Sequence, residues 1–279
     1  MILSSAPVPI TAEGSLVLAG LAVLLYLAAA LPLPALERIS PAAWIVAWLL
    51  HLLLLVIDIG GFGQSMHGAR LGFGPVLSMT VWLLIAVHTI ESRLVPLPSV
   101  RLALGAAGAL AVLTALVFPG AVRPIEHPLA PLHFALGVAS YALFAAAVLH
   151  AVMLDAAERR LRSGAGAAPG AGGLGRAALG LPLLQLERIT FRFVDAGFLV
   201  LTATMVLGAG DVEHWRWDHK WVFSALAWCV FAALLAGRHL RGWRGRKATR
   251  WLYIGAVLLL LAYAGSRFVF EVLLGRPPT

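Results

Sequence analysis

Residues 41–59 read PAAWIVAWLLHLLLLVIDI, a run in which His51 and Asp58 are the only ionisable side chains. At about 1.5 Å of rise per residue, a helix of this length crosses the ~30 Å hydrocarbon core of a bilayer. The run is too long for a buried strand and too apolar for the surface of a soluble helix. Working outward, the whole chain of 279 residues is 61% hydrophobic and 12% charged, with a mean hydropathy of +0.90. A soluble domain usually carries about 25% charge, so a soluble globular protein is excluded. A transmembrane β-barrel is excluded as well, because its strands alternate in short segments and these runs are continuous. The expected fold is an all-α polytopic membrane protein.

Apolar runs between charged or Pro/Gly-rich breaks predict eight spans, near residues 15–31, 41–59, 73–90, 101–118, 130–153, 194–210, 219–237 and 249–271. The breaks are Pro32 to Pro34, Gly60 to Gly63, Pro119 to Pro128 and the Gly/Ala-rich stretch Gly164 to Gly175. No internal repeat is visible, and residues 1–279 read as a single integral-membrane domain. Residues 1–14 carry no Lys or Arg ahead of the first span, so no cleavable signal peptide is expected. Cys229 is the only cysteine and lies in an apolar run, which excludes an intramolecular disulfide and a Cys-based haem attachment motif.

The net charge of +8 does not point to nucleic acid, because the basic residues follow topology. With alternating loops, fifteen of the 21 Lys and Arg fall on one side, chiefly in residues 155–192 and 238–250. The positive-inside rule makes that side cytoplasmic and both termini external. Residues 211–221 then form an outward loop containing Trp215, Trp217, Asp218 and Trp221.

Aromatic residues at a membrane surface read first as interfacial anchors. Here, however, Trp215-Arg216-Trp217-Asp218-His219-Lys220-Trp221 is followed by a span and then by Gly242-Trp243-Arg244-Gly245-Arg246. Upstream stand Leu186-Glu187, Phe191-Arg192, Gly197, Leu201-Thr202 and Gly208, and before them Pro131-Leu132-His133 and Ser140-Tyr141-Ala142. Together these stretches resemble the cytochrome c assembly (CcsA/CcmC-type) family of haem-handling membrane proteins over residues 130–267. His51 and the run Gly72 to Trp82 resemble its upstream spans more weakly. The family's Trp-Asp-Pro-Lys-Glu-Thr-Trp-Ser is replaced by Trp217-Asp218-His219-Lys220-Trp221-Val222-Phe223-Ser224. Ala236 stands where the family's synthetases have a histidine, and no histidine follows Ser266. These departures match the family's short branch, that of the YpjD and HemX proteins.

Nine histidines are candidates for an iron ligand. His133 and His150 lie about 25 Å apart along one helix and cannot share an iron. His133 falls about 4–5 Å inside the outer boundary, His51 about 12 Å inside Ile59 and His219 at the boundary, so His133 pairs by depth with either His51 or His219. The resemblance makes His133 an axial ligand, with Ser140 two turns on along the same helix face. His51 reads about equally as a ligand or as a core histidine hydrogen-bonded to a neighbouring helix. His88, His150 and His239 read as solvated residues toward the cytoplasmic side, and His67, His127 and His214 as loop residues.

Trp215, Trp217 and Trp221 offer flat apolar faces to a porphyrin edge, beside their reading as an interfacial belt. Arg267 pairs by default with Glu271, four residues on. It is alternatively a partner for a haem propionate, or for Asp58.

The leading reading implied by the resemblance is a haem-handling inner-membrane protein assisting cytochrome c or respiratory-complex assembly. It would bind haem b without covalent attachment, contact maturation or assembly proteins, and not itself be the bond-forming enzyme. His133 and His51 are the expected iron ligands. The site is expected to include Trp215, Trp217, Asp218, Trp221 and Arg267. A second reading is a haem-free regulator or accessory subunit of a haem-biosynthesis enzyme or transporter, docking through the basic loops. An ion or solute transporter is disfavoured, since Asp58 and Asp195 are the main intramembrane acids and Asp195 has Arg188 and Arg192 nearby in sequence.

Overall fold

A computed structural model describes residues 12–31, 33–36, 38–60, 69–92, 98–120, 122–123, 129–162, 183–209 and 219–265. Among these are eight α-helices: α1 (Ala12–Ala30), α2 (Ser40–Ile59), α3 (Phe73–Glu91), α4 (Pro98–Val117), α5 (Ala130–Arg162), α6 (Leu183–Ala209), α7 (His219–Arg241) and α8 (Gly245–Leu260). Seven are long and apolar enough to cross a bilayer, and α8 runs on into a π turn, Leu261–Gly265. The polytopic all-α fold holds. Its only extended pairing among the described residues is a two-residue antiparallel bridge, β1 (Ala69–Arg70) with β2 (Val122–Arg123).

The expected boundaries need correction where charged residues were taken to end a helix. α5 continues nine residues past 153, through Asp155-Ala-Ala-Glu-Arg-Arg-Leu-Arg162, and α6 begins at Leu183 rather than 194. Ala, Leu, Glu and Arg are strong helix formers, so the helix outlasts the apolar run. Much of the two basic segments, 155–192 and 238–250, is therefore helical extension and not loop. The expected outward loop, as far as Asp218, and both chain ends lie outside the described residues.

The chain also divides into two compact units, where the sequence reads as one domain: Met1–Trp82 with Leu104–Glu126, and Leu83–Ala103 with His127–Thr279. In the first, a 3₁₀ turn at Pro34–Leu36 reverses the chain between α1 and α2. Pro41 sits in the first turn of α2, where its missing N–H costs nothing. Ser40 Oγ donates to the Ala29 carbonyl at 2.9 Å, joining the end of α1 to the start of α2. Tyr26 is fully buried with its ring edge-on to Trp44.

The second unit is built around α5–α8. Lipid chains are as apolar as leucine, so helices in a bilayer associate by close packing rather than by escaping water. At the centre the rings of Phe144 (α5) and Phe231 (α7) stack at 3.9 Å and 10°. Gly197 of α6 lies against the ring of Phe144, and Gly255 of α8 against that of Phe231. A Cβ added at Gly255 would stand 2.6 Å from the Phe231 ring, and one at Gly197 3.2 Å from Phe144. Two bulky rings filling the space left by two missing side chains thus bind four helices at one level. The basic ends of the four helices meet at one end of the unit. There the Asp155 carboxylate accepts from Thr249 Oγ1 (3.1 Å) and Tyr253 Oη (2.9 Å), and Arg238 pairs with Glu187 at 3.3 Å while lying over the Phe191 ring.

Gly255→Ala is expected to destabilise the protein by about 1–3 kcal/mol, because the methyl overpacks a rigid ring. Gly20→Ala, with nothing within 4 Å of the added atom, should be neutral or slightly stabilising. Thermal unfolding of the two variants in the same detergent checks the contrast.

Candidate functional site

His133 is in the first turn of α5, four residues into the helix, where its backbone N–H donates to the Leu129 carbonyl at 3.0 Å. Its side chain is exposed, and its ring has no hydrogen-bond partner among the described residues. The imidazole rests against Gly208 in the last turn of α6: a Cβ there would stand 2.8 Å from Cε1 and 3.3 Å from Nδ1. Gly208 is therefore the seat of the ring. Ser140, buried on the same face of α5, spends its hydroxyl on the Gly137 carbonyl at 2.7 Å. Tyr141 reaches α8, donating to the Leu259 carbonyl at 2.7 Å just before the π turn.

His51 lies in the other unit and in a different state. It is 1% exposed, with Tyr26 Oη 3.1 Å from Nδ1 and Ser78 Oγ 2.7 Å from Nε2. Both ring nitrogens are thus engaged, by side chains of α1 and α3 rather than by helix backbone. One turn earlier on α2, Trp48 stacks on Trp82 of α3 at 4.7 Å and 8°. Each indole N–H donates to the other residue's carbonyl, at 3.3 and 3.0 Å. This reciprocal clamp holds α2 and α3 in the register that brings Ser78 to His51.

The remaining candidates separate clearly. Trp221 is half-buried in the first turn of α7, while Trp215, Trp217, Asp218 and Arg267 lie outside the described residues, as do His67, His127, His214 and the side chain of His219. His88 and His150, expected to be solvated, are instead buried at 4% and 2% exposure. His150 Nε2 is 2.8 Å from Glu91 Oε1, so α3 and α5 pack polar group on polar group there. His239 is exposed and bonds Leu235 of its own helix. Asp58 pairs with Arg70 at 3.3 Å, which supplies the partner that Arg267 was a candidate for. Asp195 lies within electrostatic reach of His239 and Arg238 on α7, not beside Arg188 or Arg192 in an ion pair. No group of three His, Cys, Asp or Glu among the described residues is arranged to hold a metal ion.

The Gly-Trp-Arg-Gly-Arg motif is a turn. Gly242 and Gly245 have φ of +65° and +55°, a conformation open to glycine and strained for other residues, and they reverse the chain between α7 and α8. Trp243 folds back so that its N–H donates to the Gly237 carbonyl at 3.2 Å, and Lys247 lies 4.2 Å over its ring. The motif positions helices at the basic end.

The sequence profile of the family described as Cytochrome C assembly protein matches residues 14–274. The chain belongs to this cytochrome c assembly family. Relatives include the cytochrome c biogenesis protein CcsA of Synechococcus sp. (strain CC9605), 35% identical over 86 residues covering 29% of this chain and 28% of that one. They also include the inner membrane protein YpjD of Escherichia coli (strain K12), 37% identical over 95 residues covering 33% and 36%. CcsA of Gloeobacter violaceus is 31% identical over 91 residues, 31% and 27%. The chain thus matches little more than a third of these relatives' lengths at most. No solved structure matches the chain. Within the cytochrome c assembly fold, Tyr26, Ser78, Glu91 and Gly208 are the residues whose roles sequence reading missed. Ser78 carried no signal there, since a lone Ser hydroxyl in a span ordinarily bonds its own helix.

Ser78→Ala is expected to cost about 1–3 kcal/mol by leaving a buried imidazole nitrogen unpaired. Thermal unfolding of the variant, compared with Thr80→Ala, checks this; Thr80 bonds only the backbone of its own helix.

Proposed function

We propose that this protein handles haem during cytochrome c or respiratory-complex assembly in the bacterial inner membrane, with His133 as an axial iron ligand. The observation that carries the reading is the His133 imidazole: exposed, without a described partner, and fixed in place by a glycine in a member of the cytochrome c assembly family. A neutral imidazole with an open ring nitrogen is a good ligand for haem iron. The basic ends of α5–α8 face the cytoplasm in this reading, which puts His133 near the outer surface. Trp215, Trp217, Asp218 and Trp221 would shield a haem held there, and Arg267 would pair with a propionate.

Haem bound there, as haem b without covalent attachment, supplies an iron centre; the chain's own residues bind and orient it. Gly208 leaves the imidazole room to stand at a set angle, and the α5 backbone fixes its height. His51 is the second candidate ligand. For it to serve, Ser78 or Tyr26 must release a ring nitrogen, so it enters at a cost that His133 does not carry. The partners are apocytochrome-maturation or respiratory-assembly proteins.

The detergent-purified protein, expressed with ample haem, is expected to show a b-type reduced-minus-oxidised spectrum and near-stoichiometric haem by pyridine haemochrome. His133→Ala should lose most of it. Gly208→Ala should weaken haem binding about 10–100-fold, as expected when a ligand's supporting contact is altered. A folded protein without haem under these conditions overturns the reading.

A further inference from the structure

At the basic end of the second unit, the contact between His150 and Glu91 admits a deduction about protons. His150 Nδ1 stands 2.8 Å from the Ala146 carbonyl, which can only accept, so Nδ1 carries a hydrogen. Nε2 stands 2.8 Å from Glu91 Oε1. If the ring were neutral, its one hydrogen would already be on Nδ1, leaving a bare Nε2 lone pair facing Glu91. Against an ionised carboxylate that lone pair would meet another acceptor, and two acceptors do not sit at hydrogen-bond distance. The contact therefore contains one further proton, held as imidazolium against carboxylate or as neutral imidazole accepting from carboxylic acid.

We infer that His150 and Glu91 form a buried proton-binding centre that exchanges with water at the C-terminal end of α3. Loading adds one proton to the pair, and unloading returns it to water, leaving Nε2 and the carboxylate as two facing acceptors that must move apart. The route is through Glu91. Its side chain is 11% exposed where that of His150 is 2%. Its second oxygen, Oε2, is buried with no hydrogen-bond partner among the described residues, which leaves the carboxyl one unpaired acceptor. α3 ends at Glu91, and Ser92 bonds back to His88 and Thr89.

The groups around the centre set its balance. From α3, His88 stands one turn before Glu91, buried, with Nδ1 also lacking a described partner. From α4, Arg101 lies within electrostatic reach of His88. α6 contributes the Phe193 ring, 5.3 Å from the His150 ring. A ring on one side and a histidine and an arginine on the other leave the Glu91 carboxylate as the negative group of the cluster. This inference is independent of haem and of the His133 site.

The test is ¹⁵N NMR of histidine-labelled wild-type protein at neutral pH, with infrared spectra before and after transfer to D₂O. Glu91→Gln serves to assign the signals. The expected result is a His150 ring protonated on Nδ1 and hydrogen-bonded through Nε2, accompanied by either an imidazolium or a carboxylic-acid signature. That signature should shift promptly in D₂O and be lost in Glu91→Gln. A neutral His150 carrying its hydrogen on Nε2, with Nδ1 bare, overturns the shared proton. A shared-proton signature that stays unchanged in D₂O overturns the exchange. Both outcomes are read on the wild type, so a Glu91→Gln variant that fails to fold does not remove the test.

Discussion

A polar group surrounded by hydrocarbon has no water to turn to, and most buried polar side chains among the described residues are placed where another group meets them. Thr80, Thr89, Thr114, Thr190, Thr202 and Thr204 each give their hydroxyl to the carbonyl four residues back on the same helix. Where a group is too large for that, the partner comes from a second helix, and the pairing then decides which helices lie together. Tyr26 and Ser78 bring α1 and α3 to His51; Glu91 brings α3 to His150; Thr249 and Tyr253 bring α8 to Asp155. Because association in lipid gains little from apolar contact alone, these bonds select among helix arrangements that packing would otherwise leave nearly equal.

Packing supplies the second half of the specification. The Phe144–Phe231 stack, closed on either side by Gly197 and Gly255, works only at one level and one rotation of each helix. A ring has one thickness, and a glycine admits it at one point along the helix. The polar pairs at Asp155 join α5 to α8 and the aromatic stack joins α5 to α7, so α5 is held in register against both helices. The Gly242–Gly245 turn then sets the short distance between α7 and α8 that both require.

Hydropathy made the membrane class and the helix count legible, because residues 41–59 and their counterparts admit no other fold. The ends of α5 and α6 were not legible in the same way. An apolar run reports where a bilayer stops, and the helix continues as long as its residues favour helix. The site was legible only in part. His133 stood out by its place in a pattern of several segments, whereas His51 read evenly as a ligand or a core histidine and His150 as a solvated residue. Their states depend on Ser78 and Glu91, which arrive from elsewhere in the chain, and one-dimensional spacing carries no information on that meeting.

The described histidines therefore sort by what their nitrogens already do. A buried imidazole held from both sides, as His51 is, lowers its energy by staying where it is, and any ligand must first replace those bonds. A buried imidazole that faces a carbonyl on one side and a carboxylate on the other, as His150 does, has both ring nitrogens engaged. His133 has neither commitment: it is exposed at a helix start, with its ring orientation set by a glycine rather than by a hydrogen bond. Orienting a ring by shape alone leaves its nitrogen free, and that is the one arrangement among the three in which binding an external electron-pair acceptor requires no bond within the protein to be given up.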